Sequence, residues 1–238
     1  MTSRDDTRSR LLLAFEERTQ HADLVTFDLF DTLAQRLVRR PVDVFAIVAD
    51  ALRDVIPNHA GAFARDREEA ERVARIEAEA AGRHEITLDE IYRRLPAPLI
   101  DEASAAGVSI EQMQVTEIDL ELASIVPDEL VVGVFRRVVA AGVPVAIVSD
   151  MYLPADVLHR ILDKIGVEGH AALHLSGEIG VSKAKGSIWD HVRRAHDLSE
   201  ASRIVHIGDN AESDGATARL QGVDSFVLPL PPRTLPRS

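Results

Sequence analysis

Residues 24–33, Leu-Val-Thr-Phe-Asp-Leu-Phe-Asp-Thr-Leu, begin as an apolar, β-prone run and turn abruptly acidic. A short apolar run of this kind is what a strand buried on both faces of a parallel sheet looks like. Asp28, Asp31 and Thr32 follow at once, at the strand's carboxyl end. In open α/β sheets that edge is where ligands bind. Burying Asp28 there is costly unless a cation, hydrogen bonds or chemistry compensates. The rest of the chain is therefore read for partners.

The pattern along the chain is that of an interrupted α/β protein. Residues 1–9 are polar and expected to fray, and Leu11, Leu12, Leu13 and Phe15 belong to a short amphipathic helix ending near Thr19. Between about residues 41 and 127 the spacing is helical: Pro41 suits a first turn, 63–81 reads as a long charged helix, Thr87-Leu88-Asp89-Glu90 is a capping box, and a helix over 110–125 is stopped by Pro127. No β-like run is read there, and the charge run Arg65-Asp66-Arg67-Glu68-Glu69 is expected to be a solvated helix face. Strand and helix then alternate again: strand 143–148 ending in Ser149-Asp150, helix 154–165, strand 171–175, helix 182–195, strand 204–207 ending in Gly208-Asp209, helix 214–220 and strand 225–228. The tail, with Pro229, Pro231, Pro232 and Pro236, reads as irregular. The expected division is a core of residues 1–35 and 128–238 with a helical domain over 36–127.

Composition narrows the function. The 238 residues carry a net charge of −12 and only 4% aromatics, which disfavours nucleic acid or an anionic membrane as partner. With no cysteine, thiolate catalysis and cysteine-ligated zinc are excluded. No signal-peptide core or membrane-length apolar run is present, so the expectation is a cytoplasmic protein, monomer or homodimer.

Four polar stations follow apolar strands: Asp28 with Asp31, Ser149, Lys183, and Asp209 with Asp214. Parallel strand ends share one edge, so the four are able to converge. A carboxylate serves as a nucleophile toward phosphorus or carbon, and a hydroxyl and an ammonium hold phosphoryl oxygens. Asp28, Asp209 and Asp214 offer the hard oxygen ligands that Mg²⁺ prefers.

These residues resemble the haloacid dehalogenase-like hydrolases. Asp28-Leu29-Phe30-Asp31-Thr32-Leu33 is similar to the family's first motif, with Asp28 in the place of the nucleophile; Ser149 matches the second-motif serine, Lys183 the third-motif lysine, and Gly208-Asp209 through Asp214 the acidic fourth motif. Together with Ser149-Asp150-Met151-Tyr152-Leu153-Pro154, the first string is similar to a subgroup often found alongside glycosyltransferases. The resemblance implies a Rossmann-like three-layer core with a parallel sheet plus an inserted helical cap of C1 type. It also implies Mg²⁺-dependent hydrolysis of a small phosphorylated metabolite, a sugar phosphate being one candidate, through an aspartyl-phosphate.

One departure matters. The family's phosphatases carry a general acid two residues after the nucleophile, where this chain has Phe30 and places its acid at Asp31. The proton donor is thereby open between Asp31, a cap residue, water and substrate; the backbone carbonyl of Phe30 remains available to the metal. Asp31 is either catalytic or turn-forming, and Thr32 either positions phosphate or bonds locally. Ser149 is compatible with capping as well as phosphate binding, and Asp150 reads as a substrate-side or supporting residue. Lys185 is the runner-up to Lys183. His206 reads as a core histidine, His174 and Trp189 as core or pocket wall, and Arg36, Arg39, Arg40 and Arg65 as surface ion-pair formers ahead of grips for an anionic substrate. Two alternatives stand beside phosphohydrolysis: dehalogenase-type cleavage of a carbon–halogen bond, and a catalytically weak protein that binds phosphate ligands.

Overall fold

A computed structural model of the chain describes residues 3–230. Five parallel strands form one sheet in the order β5-β4-β1-β6-β7: β1 is Leu24–Phe27, β4 Val145–Ser149, β5 Ala172–Leu175, β6 Ile204–Gly208 and β7 Asp224–Val227. The apolar run at the head of the acidic string is the central strand, paired with β4 (Val25 opposite Val145) and β6 (Val25 opposite Val205). Alternation along these strands splits the core in two. Val25, Phe27, Val145, Ile147, Val205 and Ile207 face α1 (Ser3–Thr19), α7 (Glu129–Ala140) and α8 (Ala155–Lys164). Leu24, Ala146, Val148 and Ile204 face α10 (Ser187–Ala195) through Ile188, Trp189 and Val192. The result is the three-layer α/β architecture, with Phe15, Phe27 and Phe135 stacked edge to face at 5.3 and 5.2 Å on the first side.

Between β1 and β4 the chain leaves the sheet. Strands β2 (Ala34–Arg36) and β3 (Ile125–Pro127) pair antiparallel and close the stem of an excursion containing α2 (Asp43–Ala51), α3 (Ala60–Ala80), α4 (Leu88–Tyr92), α5 (Ala97–Ala105) and α6 (Ile110–Ser124). The expectation that this stretch holds no strand is thus corrected at β3. The helix stops at Ser124, and Pro127, which has no N–H to donate, sits at the end of a two-stranded ribbon where it is tolerated.

The charge run is solvated at Arg65, Glu68 and Glu69 as expected, and the expectation is corrected at Arg67. Arg67 is fully buried, donating to both Glu117 oxygens at 2.9 and 2.8 Å with the Phe45 ring 4.4 Å from its guanidinium carbon. Arg36 is likewise no surface residue: it is buried and donates to Glu121 at 2.6 Å. Arg40 and Arg65 do form surface pairs, with Asp43 and Asp66. The capping box at Thr87 and Glu90 is present.

At the N-terminus, helix α1 begins at Ser3, so residues 3–9 are helical where fraying was expected, while residues 1–2 lie outside the described residues. Apolar contacts of its third and fourth turns against the sheet hold it. Pro231, Pro232 and Pro236 lie outside the described residues.

Candidate active site

Asp28 continues the β1 ladder, its N–H donating to Ile207 O at 2.9 Å, and projects from the sheet's carboxyl edge. The next residues reverse tightly: Ala34 N donates to Leu29 O at 2.8 Å and Asp31 N to Ala34 O at 2.7 Å. This turn puts Asp31 in the left-handed region, at φ 57°, a conformation that costs a non-glycine residue about 1–3 kcal/mol and clusters at active sites. Thr32 is fully buried behind Asp28, its hydroxyl donating to Asp28 Oδ2 at 3.0 Å.

Residues 182–186, expected to be helical, form a turn instead, and α10 starts only at Ser187. The reason lies with Asp150, whose two carboxylate oxygens accept the N–H groups of Lys183 (2.9 Å) and Ala184 (3.2 Å). Held outside the helix, Lys183 reaches inward and bridges Asp28 Oδ1 at 2.5 Å and Asp214 Oδ1 at 2.7 Å. Lys185 stays at the surface beside Glu79.

The expected helix at 214–220 is also modified. Residues Ala211–Thr217 form a π-helical turn, with the Asn210 side chain accepting from Glu212 N and Ser213 N at 2.9 and 3.1 Å. Such turns recur at functional sites because they reaim one side chain. Here the turn tucks Asp214 under the end of β6, against Gly208; a Cβ at position 208 would collide with the Asp214 carboxylate. Asp214 Oδ2 accepts from Asn210 N at 3.0 Å, and Oδ1 faces His206 Nε2 at 3.1 Å. His206 Nδ1 in turn lies 2.9 Å from Thr26 Oγ1, so the histidine is a satisfied core residue whose partner is a site carboxylate. Sequence reading missed that link; no spacing signal carries it.

A cleft of about 220 Å³ opens over these groups, lined by Asp28, Phe30, Asp31, Ser149, Asp150, Lys183, Asp209 and Asp214 among others. Burial pushes the Asp28 carboxyl up, and the Lys183 ammonium offsets this only in part because Asp214 and Asp209 add their repulsion. Burial likewise lifts Asp209, to about 6, helped by Asp214 and Asp31. Burial also disfavours the Asp214 anion, but Lys183 and His206 outweigh it and hold that carboxyl well below the usual range. For Lys183 burial pulls the other way, and the carboxylates of Asp214, Asp28 and Asp150 keep it charged.

Three carboxylates thus converge on one ammonium, and charge balance is incomplete. Asp28, Asp209 and Asp214 present oxygens all within 4.8 Å of one another, the one group of three or more carboxylate or imidazole ligands this close among the described residues. The donor set is hard oxygen, which fits Mg²⁺ and not a thiophilic ion.

The stations expected from the sequence therefore meet at one sheet edge. A family model described as haloacid dehalogenase-like hydrolase matches residues 22–222. The chain is a haloacid dehalogenase-like hydrolase.

Among solved structures, the hydrolase resembles a 2-haloacid dehalogenase from Pseudomonas syringae pv. Tomato DC3000 at 20% identity, with 85% of this chain and 84% of the other covered and a TM-score of 0.55. It also resembles a predicted phosphoglycolate phosphatase from Haemophilus somnus 129pt at 16% identity, covering 88% and 90%, with a TM-score of 0.51. The L-2-haloacid dehalogenase from Xanthobacter autotrophicus, solved with chloropropionic acid covalently bound, matches at 14% identity over 86% and 75%, with a TM-score of 0.50. At these identities the likeness is one of fold, shared by dehalogenases and a phosphatase alike. No curated protein matches the hydrolase. No helix among its described residues is long and apolar enough to cross a membrane.

Proposed function

We propose that this hydrolase is a Mg²⁺-dependent phosphohydrolase acting on a small phosphorylated metabolite through an aspartyl-phosphate on Asp28. The observation that carries the reading is the Asp28, Asp209 and Asp214 cluster with Lys183 set between two of its members. A halide-releasing site gains nothing from three crowded carboxylates, whereas phosphoryl transfer depends on positioning and charge neutralisation.

Asp28, Asp209 and Asp214, with the Phe30 carbonyl, would hold the ion, which when bound offsets the charge of carboxylates and phosphate oxygens. Thr32 and Lys183 fix the Asp28 carboxylate from opposite oxygens, leaving its lone pairs to attack phosphorus in line with the departing oxygen. Lys183 and the Ser149 hydroxyl, both lining the cleft, hold phosphoryl oxygens. Asp31, also on the cleft wall, gives the leaving oxygen its proton in place of the acid that Phe30 lacks. It then takes a proton from the water that attacks the acyl-phosphate. That second step returns Asp28 and releases inorganic phosphate. The helical excursion between β2 and β3 serves as the cap, and Asp150 acts by holding the Lys183 turn.

Phe30 favours a second reading, carbon–halogen cleavage at Asp28, since a halide departs without a proton. A screen of phosphorylated metabolites and 2-haloacids, run with Mg²⁺ and with EDTA, decides between them. The proposal expects phosphate release that EDTA abolishes and that Asp28→Asn lacks. Halide release that survives chelation sinks it; tight phosphate-ligand binding without turnover points to the binding protein instead.

A further inference from the structure

Three of the nine histidines, His174, His191 and His196, meet at β5, the edge strand of the sheet, and none of them lines the catalytic cleft. His174 lies in β5 and is buried; His191 sits on α10, and His196 ends that helix, half-exposed. His174 Nε2 and His196 Nε2 face each other at 3.0 Å, with ring planes at 69°. The His191 ring stands edge-on to His174, 5.2 Å between centroids.

Two imidazoles meeting nitrogen to nitrogen share at most one proton between them. A chelated ion would replace that proton, with both Nε2 lone pairs turned from each other onto a shared point. With metal–nitrogen bonds of about 2.0–2.1 Å, cis ligands at right angles stand about 2.8–3.0 Å apart and tetrahedral ligands about 3.3–3.4 Å, so the Nε2 pair matches the first and needs only a small spreading for the second. We propose that His174 and His196 chelate a borderline divalent transition ion, Zn²⁺ foremost, with water completing the shell. Imidazole nitrogens select such ions over Mg²⁺, which sets this pair apart from the oxygen cluster in the cleft. The Asp197 carboxylate beside His196 adds attraction for a cation. The bound ion ties the exposed edge of the sheet to the end of α10.

The test uses the untagged full chain, freed of metal and then kept in excess Mg²⁺ so that the carboxylate cluster is filled. Zn²⁺ is titrated calorimetrically into wild type, Asp209→Asn and His196→Ala, with the melting temperature followed in parallel. One Zn²⁺ per chain should bind wild type and Asp209→Asn alike. The melting temperature should rise by about 3–5 °C for each tenfold of free Zn²⁺ above the dissociation constant. His196→Ala should lose both effects while melting as wild type does without zinc. Absence of binding to wild type, or equal binding to His196→Ala, overturns the proposal. Should His196→Ala fail to fold, imidazole ¹⁵N spectra of wild type decide: zinc-induced shifts of two Nε2 signals support the site, and unshifted signals refute it.

Discussion

Lys183 Nζ lies 2.5 Å from Asp28 Oδ1, a contact between residues 155 positions apart that both are buried to make. With Asp214 on its other side, the ammonium is the only Lys or Arg charge among the described residues that line the cleft. Removing one member of a buried ion pair strands the other and costs about 3–5 kcal/mol. Lys183→Met is therefore expected to destabilise the metal-free protein by about that much and to lower turnover by roughly 10²-fold or more. Urea unfolding and steady-state kinetics measure the two effects separately.

The pH dependence of the metal-free protein follows from the carboxyl shifts. Asp28 and Asp209 titrate higher folded than unfolded, Asp209 near 6 against 3.8. Each binds its proton more tightly when folded, so it favours the native state at acid pH. That advantage is lost as pH rises from about 4 through the folded values. Asp214 has the opposite sign: held low, it contributes above its ordinary value and loses the contribution only toward strongly acid pH. Stability in EDTA should therefore fall between pH 5 and pH 7, less steeply in Asp209→Asn, and Mg²⁺ should restore it increasingly with pH as the ligands lose protons. A flat profile would contradict the charge balance drawn here.

His206 is buried with Thr26 on one ring nitrogen and Asp214 on the other. Groups that orient a metal ligand without touching the ion typically change affinity by about 10–100-fold. His206→Gln should weaken Mg²⁺ by that order, raising the Mg²⁺ concentration for half-maximal activity while leaving the substrate KM at saturating Mg²⁺ nearly unchanged.

Arg67 and Glu117 join α3 to α6 with no exposure at the arginine. Arg67→Met leaves Glu117 and the Tyr92 hydroxyl, 2.8 Å apart, without their cation and should cost about 3–5 kcal/mol. Pairing it with Glu117→Leu should recover most of that loss, a coupling that a double-mutant cycle in urea reads directly.

On the proposed phosphohydrolase reading Phe30 stands where a general acid is expected, with the Arg36 guanidinium carbon 4.1 Å from its ring centroid. Phe30→Asp should raise turnover of alkyl phosphates, whose leaving groups need a proton, by about 10²-fold or more, and change aryl phosphates with acidic leaving groups little. Asp31→Asn should do the reverse on the same substrate pair. Equal effects on both classes would remove Asp31 from the proton path.

Local pattern settled much of this molecule before any tertiary information. The apolar run ending at Asp28, the alternation after residue 128 and the helical spacing of α3, α6 and α7 each follow from side chains adjacent along the chain, and periodicity reports those. It marked the four stations as well, because polar residues placed at once after buried strands have few other addresses. Tertiary structure alone decided which charges went inside. Arg67 sits in a run that looks solvated, yet Glu117, fifty residues later, meets it in the interior. Asp150 is committed to the Lys183 turn, His206 to Asp214, and β3 to β2, each through a partner distant in sequence. A buried charge or a short strand is stable only once that partner arrives, so neither leaves a signature in its own segment.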